Sequence, residues 1–380
     1  MSTLTNLTRG AWWPHNVSVR PRWKPAHAEM AEMDAATAVD CAGSSDEQPL
    51  WLHVVGDSTM RFLYAALVAL LNGTCANPPC APGFPLHQLS PSDPCSFTKA
   101  GWSTNPKSSC FVRWRGRCWH APCTLDARGR ARGTATSARS PPWRLTFEWL
   151  AVRRVESYND TVVDANGATS MVERERIRRD QGSGSHFVPL RSNSSGASNG
   201  STLALVDWVR AEPTVVPTAV LVGGGVHEAV YGSGVISREI YERRMRVGLD
   251  ETTAKLRSAL GASPWIILVG NGACRNPAIR YWNKKPSDHP PAAFEALVHL
   301  GNKMMRDFTA GAGGAARRFA YLDRASTMES LWRVEDSPCV SHHAYGLLSE
   351  THAQIVLHAL AHERGVCKDG IRHRRRHGQR

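Results

Sequence analysis

Residues 51–63 read WLHVVGDSTMRFL. An apolar run with a β-branched pair, Val54 and Val55, stops at Gly56-Asp57-Ser58, and an amphipathic stretch begins at once. The pattern predicts a buried strand over 51–56 and a helix over 60–71, MRFLYAALVALL, packed on most of its circumference. The same alternation recurs downstream. TAVLVGGGVHEAV (218–230) reads as a buried strand entering a glycine-rich turn, and REIYERRMRVGLDETTAKLRSALG (238–261) as a helix with a basic face, ended by Gly261. PWIILVGNGACR (264–275) is a third buried strand with a polar exit, and PAAFEALVHLGNKMMRDFTAG (291–311) is a helix. RFAYLDRAS (318–326) reads as a fourth strand, and SETHAQIVLHALAHERG (349–365) as a closing helix with Ser349 as its N-cap.

Continuous apolar strands alternating with helices predict an α/β fold whose parallel sheet is covered on both faces. Ligands meet such sheets at the carboxyl ends of the strands. Three segments end there: Gly56-Asp57-Ser58, Gly223-Gly224-Gly225-Val226-His227 and Gly270-Asn271-Gly272.

Around this core, residues 1–48 read as irregular and 49–366 as the main domain. That domain carries a cysteine-rich insertion at 72–142, a strand within PPWRLTFEWLAVRRVES (141–157) and a polar loop at 157–202. Residues 367–380 form a basic tail ending RHRRRHGQR.

At 380 residues, 42% hydrophobic and 21% charged, the composition is that of a globular chain. No apolar stretch reaches 18 residues, and residues 1–30 lack the apolar segment of a signal peptide. Ten cysteines, six of them between positions 75 and 123, suggest a disulfide-stapled region in an oxidising compartment. Free buried thiols are the competing reading; zinc is disfavoured because no C-x-x-C pair occurs, so no metal site is expected. Asn6, Asn16, Asn72, Asn159, Asn193 and Asn199 each begin an N-x-[ST] sequon. Cysteines and sequons together favour the Golgi lumen or secretion, with the signal or membrane anchor upstream of this Met1. A net charge of +13 suits an acidic polysaccharide or a membrane surface; without a nucleic-acid-binding motif, nucleic acid is disfavoured.

A serine on a tight strand-to-helix turn is held out of the core, at a helix end where free N–H groups favour negative charge. That suits a nucleophile whose attack creates an oxyanion. Asp57 and Ser58 are also good helix caps, the competing reading. The segment VEDSPCVSHHAYG (334–346) supplies a base and its orienting carboxylate: His342 or His343, with Asp336. His227 could orient substrate or be an ordinary hydrogen-bonded histidine. Arg61 could face substrate or pair with an acid.

GDSTMRFLYAAL resembles the first block of the PC-esterase / trichome-birefringence-like family of the GDSL/SGNH hydrolase superfamily, which includes polysaccharide O-acetyltransferase-like domains. TRGAW (8–12) is similar to the family's Gly-x-Trp region, VLVGGGVHEAV to its middle block, and the terminal histidine loop to its last block. The resemblance implies a three-layer, flavodoxin-like (SGNH-type) sheet and a Ser-His-Asp site with Ser58 as nucleophile. It also implies acyl transfer, usually of acetyl, on cell-wall or secreted glycans, without a cofactor. Backbone N–H groups of Ser58 and of the Gly224–Gly225 turn would stabilise the oxyanion, with Asn271 as a further donor or a structural residue. Two positions depart from the family pattern. Its Asp three residues before the catalytic His is replaced here by Cys339 or Val340, and its middle-block Asn by glycine.

The expected function is therefore serine-dependent acyl transfer or ester hydrolysis on a polysaccharide or glycoprotein glycan, with the acyl donor open. The alternative is a catalytically inactive glycan-binding protein of the same fold, which the two departures favour.

Overall fold

The computed structural model describes residues 4, 7–13, 22–26, 30, 33, 35–42, 50–56, 58–72, 123–125, 131–137, 143–149, 154–163, 169–178, 205, 209, 213–225, 237–272, 291–311, 318–328 and 347–364. Their elements, in chain order, are β1 (Gly10–Trp13), β2 (Arg22–Pro25), α1 (Ala35–Ala42), β3 (Leu50–Gly56), α2 (Ser58–Asn72), β4 (Cys123–Leu125), β5 (Ala131–Ser137) and β6 (Trp143–Trp149). There follow β7 (Arg154–Val163), β8 (Thr169–Arg178), β9 (Ala219–Gly223), α3 (Arg238–Leu260), β10 (Trp265–Val269), α4 (Pro291–Gly311), β11 (Phe319–Leu322) and α5 (Leu347–Arg364).

The main sheet has the order β11-β10-β9-β3-β6-β5-β4. Its first five strands pair parallel, and β5 and β4 extend the β6 edge antiparallel. Numbered by their own succession, the parallel strands lie in the order 2-1-3-4-5, the flavodoxin-like doubly wound arrangement. From β3 the chain crosses first to β6 on one side, and later to β9 on the other. The topological switch point therefore lies between β3 and β9.

Strand alternation assigns each side chain to a layer. Leu50, Leu52 and Val54 of β3 join a buried cluster with α1, α2 and α5, including Leu63, Leu67, Ile355 and Leu360. Trp51 and Val55 face the other way, into a cluster with α3 and α4 that includes Tyr241, Met245, Val298 and Met305. The result is three layers, α/β/α. Each fully buried Leu, Ile or Val contributes roughly 1.5–3 kcal/mol, so the two faces are the main source of stability. Helix α3 is delimited as its sequence implies. Ser237 accepts a hydrogen bond from the Ile240 N–H at 3.4 Å, and Gly261 ends the helix at φ 69°.

Several expectations about the periphery need correction. Residues 1–48 are not wholly irregular: β1 and β2 pair antiparallel, the Trp23 indole donates to the Leu7 carbonyl at 2.7 Å, and α1 packs near α5. Cys41, buried in α1, is disulfide-bonded. The stretch 141–157 is not one strand: β6 ends at Trp149 and β7 begins at Arg154. The polar loop expected from 157 instead begins as a β7–β8 hairpin, its register running from Arg154↔Arg178 to Val163↔Thr169. The cysteine-rich insertion contributes β4 and β5 to the main sheet. The strand expected over 318–326 stops at Leu322, and residues 324–328 turn helical. Ser349 lies inside α5, which starts at Leu347, so it does not cap that helix.

Candidate functional site

The carboxyl ends of β3 and β9 meet at the switch point, and glycine is what lets them meet. A Cβ on Gly56, whose φ is +154°, would run into the Gly223 carbonyl oxygen and the Met60 side chain. A Cβ on Gly223 would strike the Met60 sulfur. Met60, fully buried on α2, thus lies against both strand ends, and the helix that begins at Ser58 is seated directly on them. Ser58 is the first residue of α2, at the end where the helix presents unmatched N–H groups.

Beyond Gly223 the β9 exit is fixed from the α3/α4 side. Gly225 has φ +95°, a conformation open to glycine, and a Cβ there would lie 2.9 Å from the Met245 sulfur. The Tyr241 hydroxyl on α3 donates to the Gly225 carbonyl at 3.0 Å. The Asn271 side chain, at the β10 exit, donates through Nδ2 to the Gly224 carbonyl at 2.8 Å. Asn271 is in turn clamped by Asn302 of α4. Its N–H donates to Asn302 Oδ1 at 2.7 Å, and its carbonyl accepts from Asn302 Nδ2 at 2.9 Å. Asn271 is 1% exposed, and its own Oδ1 makes no hydrogen bond among the described residues. A buried acceptor left so costs about 1–3 kcal/mol, and such groups concentrate where a ligand or water completes the network.

A second polar cluster lies beyond β11. Asp323 accepts from the Ser326 N–H and hydroxyl at 3.1 and 2.8 Å, shaping the turn into residues 324–328. There the Thr327 hydroxyl donates to the Arg324 carbonyl at 2.9 Å and lies 2.5 Å from His352 Nε2 of α5. With the hydroxyl proton committed to the carbonyl, His352 Nε2 is the donor in that contact. Burial first, and then the Arg324 charge, push the His352 pKa well below 6.5, so the ring is neutral. These contacts link the two elements from which segment 329–346 leaves and to which it returns.

The structure therefore brings Ser58, Gly224, Gly225 and Asn271 to adjoining strand exits on one edge of the sheet. Arg61 lies on α2, three residues after Ser58. Asp57, His227, Asp336, His342 and His343 lie outside the described residues, as do Asn6, Asn16, Asn193 and Asn199. Asn72 closes α2, and Asn159 pairs in register with Glu173 in the β7–β8 hairpin. Sequence reasoning missed Asn302 and Tyr241. Their signal was a polar group on the buried face of a helix, with Asn302 next to a glycine. Among the described residues no cluster of His, Cys, Asp and Glu could hold a metal ion, and no helix is long and apolar enough to cross a membrane.

No protein-family model matches the chain, and no curated protein matches it. Among solved structures, one described as "Peptidoglycan O-acetylesterase in action, 5 min" aligns over 87% of this chain and 95% of its own at 10% identity, with a TM-score of 0.35. The fold assignment rests on the strand pairing itself.

Proposed function

We propose that this chain performs serine-dependent acyl transfer or ester hydrolysis, with acetyl as the acyl group and a polysaccharide or glycoprotein glycan as substrate. One observation carries the reading. At the switch point of a doubly wound sheet, where ligands of this architecture bind, the strand–Gly-Asp-Ser–helix junction and the glycine turn are in direct contact through Gly56, Gly223 and Met60. That contact supports reading the Ser58 hydroxyl and the backbone N–H groups of the glycine turn as parts of one site.

In the proposed reaction an imidazole, His342 or His343, takes the Ser58 hydroxyl proton as Oγ bonds to the acyl carbon. Asp336 orients that imidazole. The tetrahedral oxyanion is held by N–H groups at the start of α2 and in the glycine turn. It collapses as the bond from the acyl carbon to the donor's leaving group breaks, and the imidazolium gives that group its proton. Water or a sugar hydroxyl then attacks the acyl-serine. The imidazole takes the attacker's proton and returns it to Ser58 Oγ, and the product is a free acid or a new ester. In this reading Asp57, Arg61 and His227 are the further residues assigned to the oxyanion and the substrate. A net charge of +13 favours an acidic glycan by long-range attraction. The Cys41 disulfide and the six sequons support placement in the Golgi lumen or outside the cell.

The test is covalent labelling with a fluorophosphonate, followed by peptide mapping. The adduct is expected on Ser58 and absent from a folded Ser58→Ala variant. A folded parent that takes no label favours the alternative, a glycan-binding protein of this fold.

A further inference from the structure

We propose that Asn302 and Tyr241 are positioning residues for the Ser58 site, acting from the α3/α4 layer through the glycine turn. The proposal rests on the acyl-transfer reading above and assigns that site its supporting shell.

The peptide plane explains how the control works. A trans peptide carries its C=O and the next N–H on opposite sides of one plane. The Gly224 carbonyl is held by Asn271 Nδ2 at 2.8 Å, so the N–H of Gly225 points the opposite way, away from Asn271. The Gly225 carbonyl is held by the Tyr241 hydroxyl at 3.0 Å, which fixes the following plane in the same manner. Glycine alone would leave both planes free to rotate, since Gly225 sits at φ +95° where no side chain restrains it. Two hydrogen bonds from buried side chains therefore replace the stiffness that the glycines give up.

Asn271 could not hold Gly224 unaided, because it stands at a strand exit with its backbone N–H and C=O past the last β10 pairing. Asn302 supplies the reciprocal pair at 2.7 and 2.9 Å that pins it. Tyr241 is fully buried, and its hydroxyl reaches Gly225 only because Gly301, next to Asn302, has no side chain: a Cβ there would collide with the Tyr241 oxygen. Adjacent residues of α4 thus govern both contacts to the turn, one by a hydrogen bond and one by leaving space. Neither Asn302 nor Tyr241 needs to touch substrate for the turn to depend on them.

The experiment measures the second-order rate of fluorophosphonate labelling at Ser58 in the parent, Tyr241→Phe, Asn302→Leu and Asn302→Asp, with near-UV circular dichroism and melting curves confirming folding. Displacing an oxyanion donor costs one to two orders of magnitude, so Tyr241→Phe and Asn302→Leu are expected to label between about tenfold and a hundredfold more slowly. Asn302→Asp provides the rescue. Its protonated carboxyl can both accept from the Asn271 N–H and donate to the Asn271 carbonyl, so its rate relative to the parent should rise as pH falls. Asn302→Leu should show no such recovery. If Asn302→Leu does not fold, Tyr241→Phe decides alone. Folded variants that label at the parental rate overturn the proposal while leaving Ser58 as the nucleophile. A folded parent that does not label overturns the Ser58 reading and this role with it, and that outcome is read in the parent alone.

Discussion

The carbonyl oxygen of Gly223 occupies the space that a side chain on Gly56 would need, so the two strand ends at the switch point lie closer than non-glycine residues allow. The glycine of Gly-Asp-Ser is thus a packing requirement of the sheet. It sets β3 against β9 and leaves room for Met60 beneath both.

Gly56→Ala is therefore expected to be costly even though alanine is small. The new methyl meets the Gly223 carbonyl, which is backbone and cannot rotate aside, and φ +154° is strained for any L-residue. Overpacking of this kind costs about 1–3 kcal/mol, with a similar amount for the backbone strain. Urea denaturation should show a loss of at least about 2 kcal/mol; an unchanged midpoint would mean that the strands part without penalty. Gly223→Ala should cost less, because what it meets is the thioether of Met60, a flexible side chain.

Acidification should destabilise the fold through His352. Its folded pKa is well below 6.5 because the ring is buried and Arg324 repels a second cation, whereas in the unfolded chain it titrates near the ordinary value. The unfolded state thus binds a proton that the folded state refuses. The stabilisation is fully present above about pH 6.5 and is lost as pH falls from there toward the folded value. The loss approaches about 1.4 kcal/mol per pH unit for the one proton involved. His352→Gln should flatten that slope between pH 6.5 and 5, and an identical slope in both proteins would remove His352 as its source.

The core was legible because its strands are continuous apolar runs. VVG, LVG and ILVG each stop at glycine, and buried parallel strands leave such runs by necessity. The β7–β8 hairpin was not legible for the opposite reason. Its register sets Glu156 opposite Arg176 and Tyr158 opposite Arg174, and a segment so rich in polar residues reads as a loop in one dimension. At the site, Ser58 and the glycine turn were visible as strand exits. Asn302 was not, because its partner lies 31 residues away, and only the packing of α4 beside β10 joins them.

A buried polar chain across β3 and β6 gives the next expectation. The Trp51 indole, which can only donate, gives its proton to Thr146 Oγ1 at 2.7 Å. The Thr146 hydroxyl is then free to donate to His53 Nδ1, also at 2.7 Å, leaving Nε2–H toward Glu148 Oε2 at 3.6 Å. That carboxylate oxygen also accepts from the Leu205 N–H at 3.2 Å. Thr146→Val keeps the shape but strands the Trp51 donor and a His53 nitrogen, at about 1–3 kcal/mol each. A loss of about 2–6 kcal/mol is expected by thermal or urea unfolding. Glu148→Gln, which can retain an acceptor for Leu205, should cost less than Glu148→Ala; equal losses would show that the acceptor for Leu205 is not what Glu148 contributes.

The choice between His342 and His343 should be settled by a split between neighbours. The segment that carries them leaves after residues 324–328 and returns at Leu347, and the Thr327–His352 contact at 2.5 Å ties those two ends together. Neighbouring side chains on one backbone diverge, so one imidazole at most can sit within hydrogen-bond reach of Ser58 Oγ. His342→Gln and His343→Gln should therefore differ sharply. One is expected to lose at least about a hundredfold in Ser58 labelling rate, the span that a general base contributes, and with it the acidic limb of the pH–rate profile. The other should stay within about twofold of the parent, since a side chain that does not take the proton adds nothing to that span. Two folded variants that both label normally would mean that the base comes from elsewhere in the chain, and His227 would then be the next residue to replace.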